Sequence, residues 1–197
     1  MPSPEAVRRA EALEVSDRRL FERLHSGDPT AFETLFREYA ARLCAFAFGY
    51  VESRAVAEEL VQDLFCWLWD HRVDAATPVS VRAYLFAALR NRALNHVRRE
   101  RVVVEFGERV ARAASRLASL QTADADLLAG DLASALAAAV HAMPLRCREV
   151  FSLVRDQHLT YAEVAEVLGI SPKTVEIHMS RALAILRQQL APWLTIA

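Results

Sequence analysis

Apolar residues recur at three- and four-residue steps along almost the whole chain, the pattern of amphipathic helices. No strand-like alternation of any length appears, and VVVEF at Val102–Phe106 is the one β-branched run. From Pro29 to about Val51 the inward set is Phe32, Leu35, Phe36, Tyr39, Leu43 and Phe46, behind Asp28 as N-cap and a first-turn proline. Ser53 caps a helix through about Asp70, in which Val56, Leu60, Leu64 and Trp67 form the inward stripe with Val61, Phe65 and Leu68 beside it. After a turn containing Pro78, Ser80 caps a helix to about Arg101 whose buried side is Leu85, Leu89 and Ala93. A short helix over Asp17–Leu24 precedes them, and residues 1–16 read as a loosely ordered tail or a frayed helix. These helices are large enough to bury one core.

Residues 102–125 contain Gly107 and a possible helix at Glu108–Leu120, but their apolar content is mostly alanine, so they read as a linker. A second, smaller domain follows over 126–197, with an Ala-rich helix and then a helix opened by Pro144 that continues through Arg155. Its last part, Leu159–Leu190, has the layout of a helix-turn-helix. Thr160 and Glu163 have capping-box spacing, so a helix starts at Tyr161, with Val164, Ala165 and Leu168 inward. Gly169 sits at the reversal, where a positive φ is cheap only for glycine. Ser171 and Pro172 open the next helix, which buries Val175, Met179, Ala182, Leu183, Leu186 and Leu190. Its outward side carries Thr174, Ile177, His178 and Arg181, flanked by Lys173, Glu176 and Ser180. A second helix of this kind enters a DNA major groove N-terminus first. The expected fold is all-α, two small helical domains over 17–101 and 126–197 joined by the 102–125 linker.

Charge sharpens this picture. A net charge of −1 leaves little for binding duplex unaided, because affinity for DNA comes largely from phosphate neutralisation. The charge is segregated, however. Six acids (Glu52, Glu58, Glu59, Asp63, Asp70, Asp74) face Arg54 and Arg72 in one segment, and six arginines (82, 90, 92, 98, 99, 101) face Glu100 in the next. One helix suits a basic partner and the other a nucleic-acid backbone, which points to a larger assembly. Cys44, Cys66 and Cys147 are far apart and lack metal spacing, so they read as reduced core thiols. Arg8 and Arg9 are followed by no apolar stretch, so no signal peptide is expected. The reading is a soluble, cytoplasmic chain with no nucleophile–base pair, metal set or phosphate loop, hence not an enzyme.

The basic helix carries Tyr84, Asn91, Asn95 and Arg98 on one side. An aromatic ring, two amides and a guanidinium are tools for unstacked bases: rings stack on them, amides meet their edges, and trailing arginines hold phosphates. A solvated charged face is the alternative for both polar helices.

Three ordered segments, AEELVQDLFCWLW, YLFAALRNRALNHVRRER and MPLRCREVFSLVRDQHLTYAEVAEVLGISPKTVEIHMSRAL, together resemble the sigma-70 family of bacterial transcription initiation factors, in its small extracytoplasmic-function (ECF) class. The resemblance spans roughly residues 17–190. It implies two DNA-facing domains, region 2 and region 4, and a linker lying on RNA polymerase. It implies that Glu59, Gln62, Asp63 and Asp70 dock on the clamp helices of the polymerase β′ subunit. It implies that Tyr84, Asn91, Asn95, Arg98 and Arg99 open and read the −10 element, with the loop Val73–Val79 walling a pocket for a flipped base. In the helix-turn-helix it implies a −35 reader made of Lys173, Thr174, Glu176, Ile177, His178, Ser180 and Arg181. Implied partners are core RNA polymerase (β′ clamp helices and β flap), promoter DNA and an anti-sigma factor, with no cofactor and no membrane insertion.

This chain departs from the family pattern in places. Many members carry Trp where Tyr84 stands and Asp where Asn95 stands, so roles transfer there but base identities do not. Glu176 suits a cytosine amine or a water-mediated contact. Two other readings stay open. The C-terminal segment also resembles the DNA-binding domain of LuxR-type regulators, although no α/β receiver pattern precedes it. A helical adaptor or anti-sigma-like module would need neither the Asn/Arg face nor a recognition helix.

Overall fold

The computed structural model describes residues 4–73, 77–111 and 130–191, with side chains over 15–73, 77–100 and 135–191. Every regular element among them is an α-helix: α1 (Pro4–His25), α2 (Pro29–Val51), α3 (Arg54–Asp70), α4 (Val81–Ala111), α5 (Gly130–His141), α6 (Leu145–Arg155), α7 (Tyr161–Leu168) and α8 (Pro172–Gln189). The chain divides into two compact units, one built on residues up to Val103 and the other, in the main, on the rest.

The first unit packs α1 and α3 against α2. Its helix starts follow local chemistry. Asp28 accepts the Thr30 N–H at 2.9 Å and Ser53 accepts that of Val56 at 3.4 Å, while Ser80 accepts that of Ala83 at 3.1 Å. Each satisfies one of the donors that a helix N-terminus leaves free. The core is aliphatic with an aromatic seam. Leu35, Leu43, Leu64, Leu85, Phe86 and Leu89 are fully buried, and Phe32, Phe36 and Phe65 meet one another within 6.5 Å. One buried polar contact joins α1 to α2: the Tyr39 hydroxyl donates to Asp17. Burial pushes the Asp17 carboxyl up, against the Tyr39 hydrogen bond, and pushes the Tyr39 hydroxyl up as well.

Three expectations about the first unit are corrected. Helix α1 begins at Pro4, so of the two readings of residues 1–16 the helical one describes residues 4–16, and the predicted Asp17–Leu24 helix is the end of a longer one. Helix α4 runs ten residues past Arg101, through VVVEF and Gly107 to Ala111, so the first part of the predicted linker is helical. Extending an existing helix needs no new nucleus, and a glycine costs only about 1 kcal/mol in a helix interior. The proposed helix at Glu108–Leu120 lies beyond Ala111 outside the described residues. Finally, α3 buries Ala57, Leu60, Val61, Leu64, Phe65 and Leu68, while Val56 is half-buried and Trp67 is exposed. The apolar residues of α3 span more of the helix surface than its neighbours cover, and Trp67 falls past the edge.

In the second unit α8 packs on α5 and α6. Ala139, Met143, Cys147, Ala182 and Leu186 form one cluster, with Val140, Phe151, Ile185 and Leu190 against it. The capping box is formed: the Thr160 N–H donates to Glu163 Oε2 at 2.7 Å and the Glu163 N–H to Thr160 Oγ1 at 3.3 Å. Gly169 turns the chain at φ +64, and Ser171 Oγ accepts the Thr174 N–H at 3.1 Å. Leu183 and Leu190, predicted inward, are half-buried. All three cysteines are free thiols, but only Cys147 is buried; Cys44 is half-buried and Cys66 exposed.

Candidate functional site

The acidic helix presents Glu59, Gln62, Asp63 and Asp70 to solvent, as its periodicity requires once Leu60, Leu64 and Leu68 are inward. Trp67, four residues after Asp63 and three before Asp70, shares that exposed side at 39% accessibility. Its ring stacks on His71 at 4.6 Å and lies 5.2 Å from the Arg92 guanidinium of α4. Arg92 also reaches the Ala88 carbonyl at 3.4 Å. Burial pulls the Arg92 guanidinium below the usual arginine range, an effect opposed by Tyr84 and Asp63.

On α4 the expected face divides. Asn91, Asn95, Arg98 and Arg99 are exposed, whereas Tyr84 is half-buried, its ring edge-on to Phe21 at 5.9 Å. Tyr84 and Asn95 are about 16 Å apart along the helix axis. Glu59 and Asp63 from α3 and Arg92, Asn95, His96 and Arg99 from α4 line one open groove of about 290 Å³, floored by Leu60. Residues assigned by sequence to two different partners are thereby brought together, while Tyr84, Gln62 and Asp70 lie outside the groove. His96 is not among the residues the sequence singles out, and Arg92 stands there only as one of six arginines suited to a phosphate backbone. Both lie one or two helical turns from members of the Asn/Arg face, a spacing that periodicity records but does not rank.

The basic count of α4 needs correction. Arg82 and Arg90 are buried and Arg92 is half-buried, so the arginines free to meet a phosphate over 81–100 are Arg98 and Arg99. Of the predicted loop wall, Val73 and Val79 are 76% and 78% exposed, and residues 74–76 lie outside the described residues.

On α8, Lys173, Glu176, Ile177, Ser180 and Arg181 are exposed, and Ile177 offers an unusual apolar contact at 44% accessibility. Thr174 and His178 are half-buried. Thr174 is engaged at the cap by Ser171, hydroxyl to hydroxyl at 2.8 Å. His178 Nδ1 lies 3.6 Å from Cys147 Sγ on α6. Burial pushes the Cys147 thiol up, with Arg181 opposing, so the thiol is held as a neutral packing group. Lys173 and Glu176 pair at 2.8 Å, so the acid on this exposed face is partly neutralised. No group of residues with metal-ligand geometry and no helix long and apolar enough to cross a membrane occurs among the described residues.

Comparison with known proteins agrees with this layout. Residues 35–103 match the family model described as sigma-70 region 2, and residues 133–186 match that for sigma-70 region 4, together well over half of the chain. The ECF RNA polymerase sigma factor SigK of Mycobacterium ulcerans is 27% identical over 169 residues, 85% of this chain and 90% of its own. The ECF RNA polymerase sigma-E factor of Haemophilus influenzae is 23% identical over 188 residues, covering 92% and 98%. Among solved structures, CnrH in complex with the cytosolic domain of CnrY superposes with a TM-score of 0.64 at 25% identity, over 89% of this chain and 97% of that one. The sigma factor RpoE from Bartonella quintana, solved with the anti-sigma factor NepR, shares the fold with a TM-score of 0.60 at 23% identity, over 81% and 96%. With the C-terminal segment matched to region 4 and the N-terminal one to region 2, the LuxR-type reading is set aside.

Proposed function

Since this chain belongs to the sigma-70 family of RNA polymerase initiation factors, in its extracytoplasmic-function class, we propose a division of labour among its helices. The protein binds core RNA polymerase and directs promoter-specific initiation through −10 and −35 recognition. Residues 17–101 form the unit for polymerase docking and −10 melting, residues 126–197 the unit for −35 recognition, and 102–125 the connection that lies on the polymerase. The observation that carries this assignment is the sorting of exposed polar groups by sign. Acids line α3, amides and arginines line the adjacent turns of α4, and a capped recognition helix stands in the second unit.

Glu59, Gln62, Asp63 and Asp70 meet a basic surface on the β′ clamp helices. With the polymerase carrying part of the affinity, a chain of net charge −1 need not bind duplex alone. Region 4 also meets the β flap. Tyr84, Asn91 and Asn95 receive bases that leave the stack, and Arg98 and Arg99 hold the phosphates beside them. Unstacking costs a few kcal/mol per base, and capture contacts offset it. On α8, Lys173, Thr174, Glu176, Ile177, His178, Ser180 and Arg181 meet the −35 major groove. The half-buried Thr174 and His178 serve there mainly as shape, the exposed five as contacts. The factor works in the cytoplasm, performs no covalent chemistry of its own, and is restrained by an anti-sigma factor, a reading supported by RpoE, which was solved with the anti-sigma factor NepR.

The decisive experiment is in-vitro transcription with bacterial core polymerase on pooled genomic upstream fragments, with and without the protein. Start sites that appear only with it and share two spaced motifs are expected. A protein that shifts duplex DNA alone and yields no transcripts would contradict the assignment. At single-residue level, Arg181→Ala should lose about 1–3 kcal/mol of discrimination at one −35 position. A small loss of equal size on every sequence would make Arg181 a phosphate contact instead.

A further inference from the structure

Helix α1 lies ahead of the residues that match region 2, and no motif in the sequence gives it a role. Its last turns nevertheless reach the start of the helix that carries the −10 face. Arg18 donates from Nη2 to the Val79 carbonyl at 2.8 Å, across 61 residues of sequence. Phe21, three residues on and so on the same side of α1, is fully buried and meets the Tyr84 ring edge-on, at 5.9 Å and 79°. Between these two contacts sits Ser80, the buried N-cap of α4, accepting the Ala83 N–H at 3.1 Å. Asp17, next to Arg18, anchors this end of α1 by accepting the Tyr39 hydroxyl of α2. The entry to α4 is therefore held from outside at one backbone carbonyl and one aromatic ring.

We propose that Arg18 and Phe21 are positioning residues for −10 recognition, fixing the Val79–Ser80 backbone and the Tyr84 ring before a base arrives. The inference rests on the reading of Tyr84 as a −10 residue. Its physical basis is preorganisation. A ring that must be ordered at the moment of capture spends binding free energy on that ordering, whereas a ring already held does not. An edge-to-face neighbour is a favourable aromatic geometry and restricts the Tyr84 rotamer. A planar guanidinium on the preceding carbonyl sets the direction in which the chain enters the cap. Neither contact needs Arg18 or Phe21 to touch DNA.

Arg18 is exposed, so its replacement tests the role without opening the core. The full chain in holoenzyme should be assayed on a duplex promoter that wild-type holoenzyme recovers from a randomised −10 library, and on the same promoter with one −10 base changed. Arg18→Ala is expected to lower discrimination between the two about fivefold, the scale of one hydrogen bond. Core affinity should stay unchanged and the thermal midpoint should fall by no more than a few degrees, and Arg18→Lys, which keeps a donor, should retain most of the discrimination. Unaltered discrimination in Arg18→Ala overturns the proposal. So does an equal loss on both promoters with a melting temperature lowered by more than this, which is the mark of a purely structural contact. Tyr84→Ala separates the levels: if it leaves discrimination intact, the −10 reading of Tyr84 fails and carries this inference with it. If it flattens discrimination while Arg18→Ala does not, only the positioning role is lost.

Discussion

Replacing Asp63 with Lys is expected to weaken binding to core RNA polymerase by about ten- to a hundredfold, the scale of losing and then reversing one charge at a docked pair. Asp63 is exposed in the free protein, so the substitution opens no cavity. It lies in the groove opposite Arg92 and Arg99, and its charge favours the protonated Arg92. Reversal therefore adds some repulsion within the fold. Surface pairs are worth about 1 kcal/mol or less, so the thermal midpoint should move by only a few degrees. The larger effect falls on docking, where water leaves both partners and the same charge acts in a lower dielectric. A competition assay for core, run at two salt concentrations beside a melting curve, separates the two. Core affinity within twofold of wild type would remove α3 as the docking helix. A salt dependence unchanged by the variant would do the same, since charge pairing across the interface is screened by salt.

The second large effect concerns stability. Phe86→Ala should cost about 3–5 kcal/mol, the usual range for truncating a fully buried phenylalanine. Phe86 has no accessible surface, meets Phe46 edge-on at 5.2 Å and 79°, and lies 5.9 Å from the Arg42 guanidinium. Those neighbours come from α2, and truncation removes the aromatic contact and leaves a gap beside them. For a unit of about 100 residues each kcal/mol moves the midpoint by about 4–8 °C. Calorimetry should accordingly show one transition shifted by well over ten degrees. A loss below about 1 kcal/mol would mean that Phe86 is not where α4 meets the first core.

These two residues also mark how far the sequence could be read. Asp63 was legible because a charge on the polar side of an amphipathic helix has nowhere else to go once Leu60, Leu64 and Leu68 turn inward. Phe86 lies off the stripe of Leu85, Leu89 and Ala93 that periodicity marks on α4, though it stands next to Leu85 and is fully buried. Periodicity names a stripe, and the width of that stripe depends on how many neighbours cover the helix. The same ambiguity put Trp67 inside and left Arg82 and Arg90 counted as phosphate ligands when they are buried.

Local grammar, by contrast, carried the starts of α2, α3, α4, α7 and α8. Asp28, Ser53, Ser80, Thr160, Ser171 and Gly169 act within a few residues of themselves, through hydrogen bonds and one backbone dihedral. Chain order and that grammar alone determined an all-helical fold, a helix-turn-helix and membership in its family. What required the tertiary structure was everything that depends on residues distant in sequence. The joining of Glu59 and Asp63 to Asn95 and Arg99 in one groove, the exposure of Trp67, and the reach of Arg18 to Val79 and Phe21 to Tyr84 are of that kind. Capping hydrogen bonds close within a few residues and leave a mark in neighbouring letters. Packing and Coulomb contacts across helices depend on crossing geometry, which no single helix encodes.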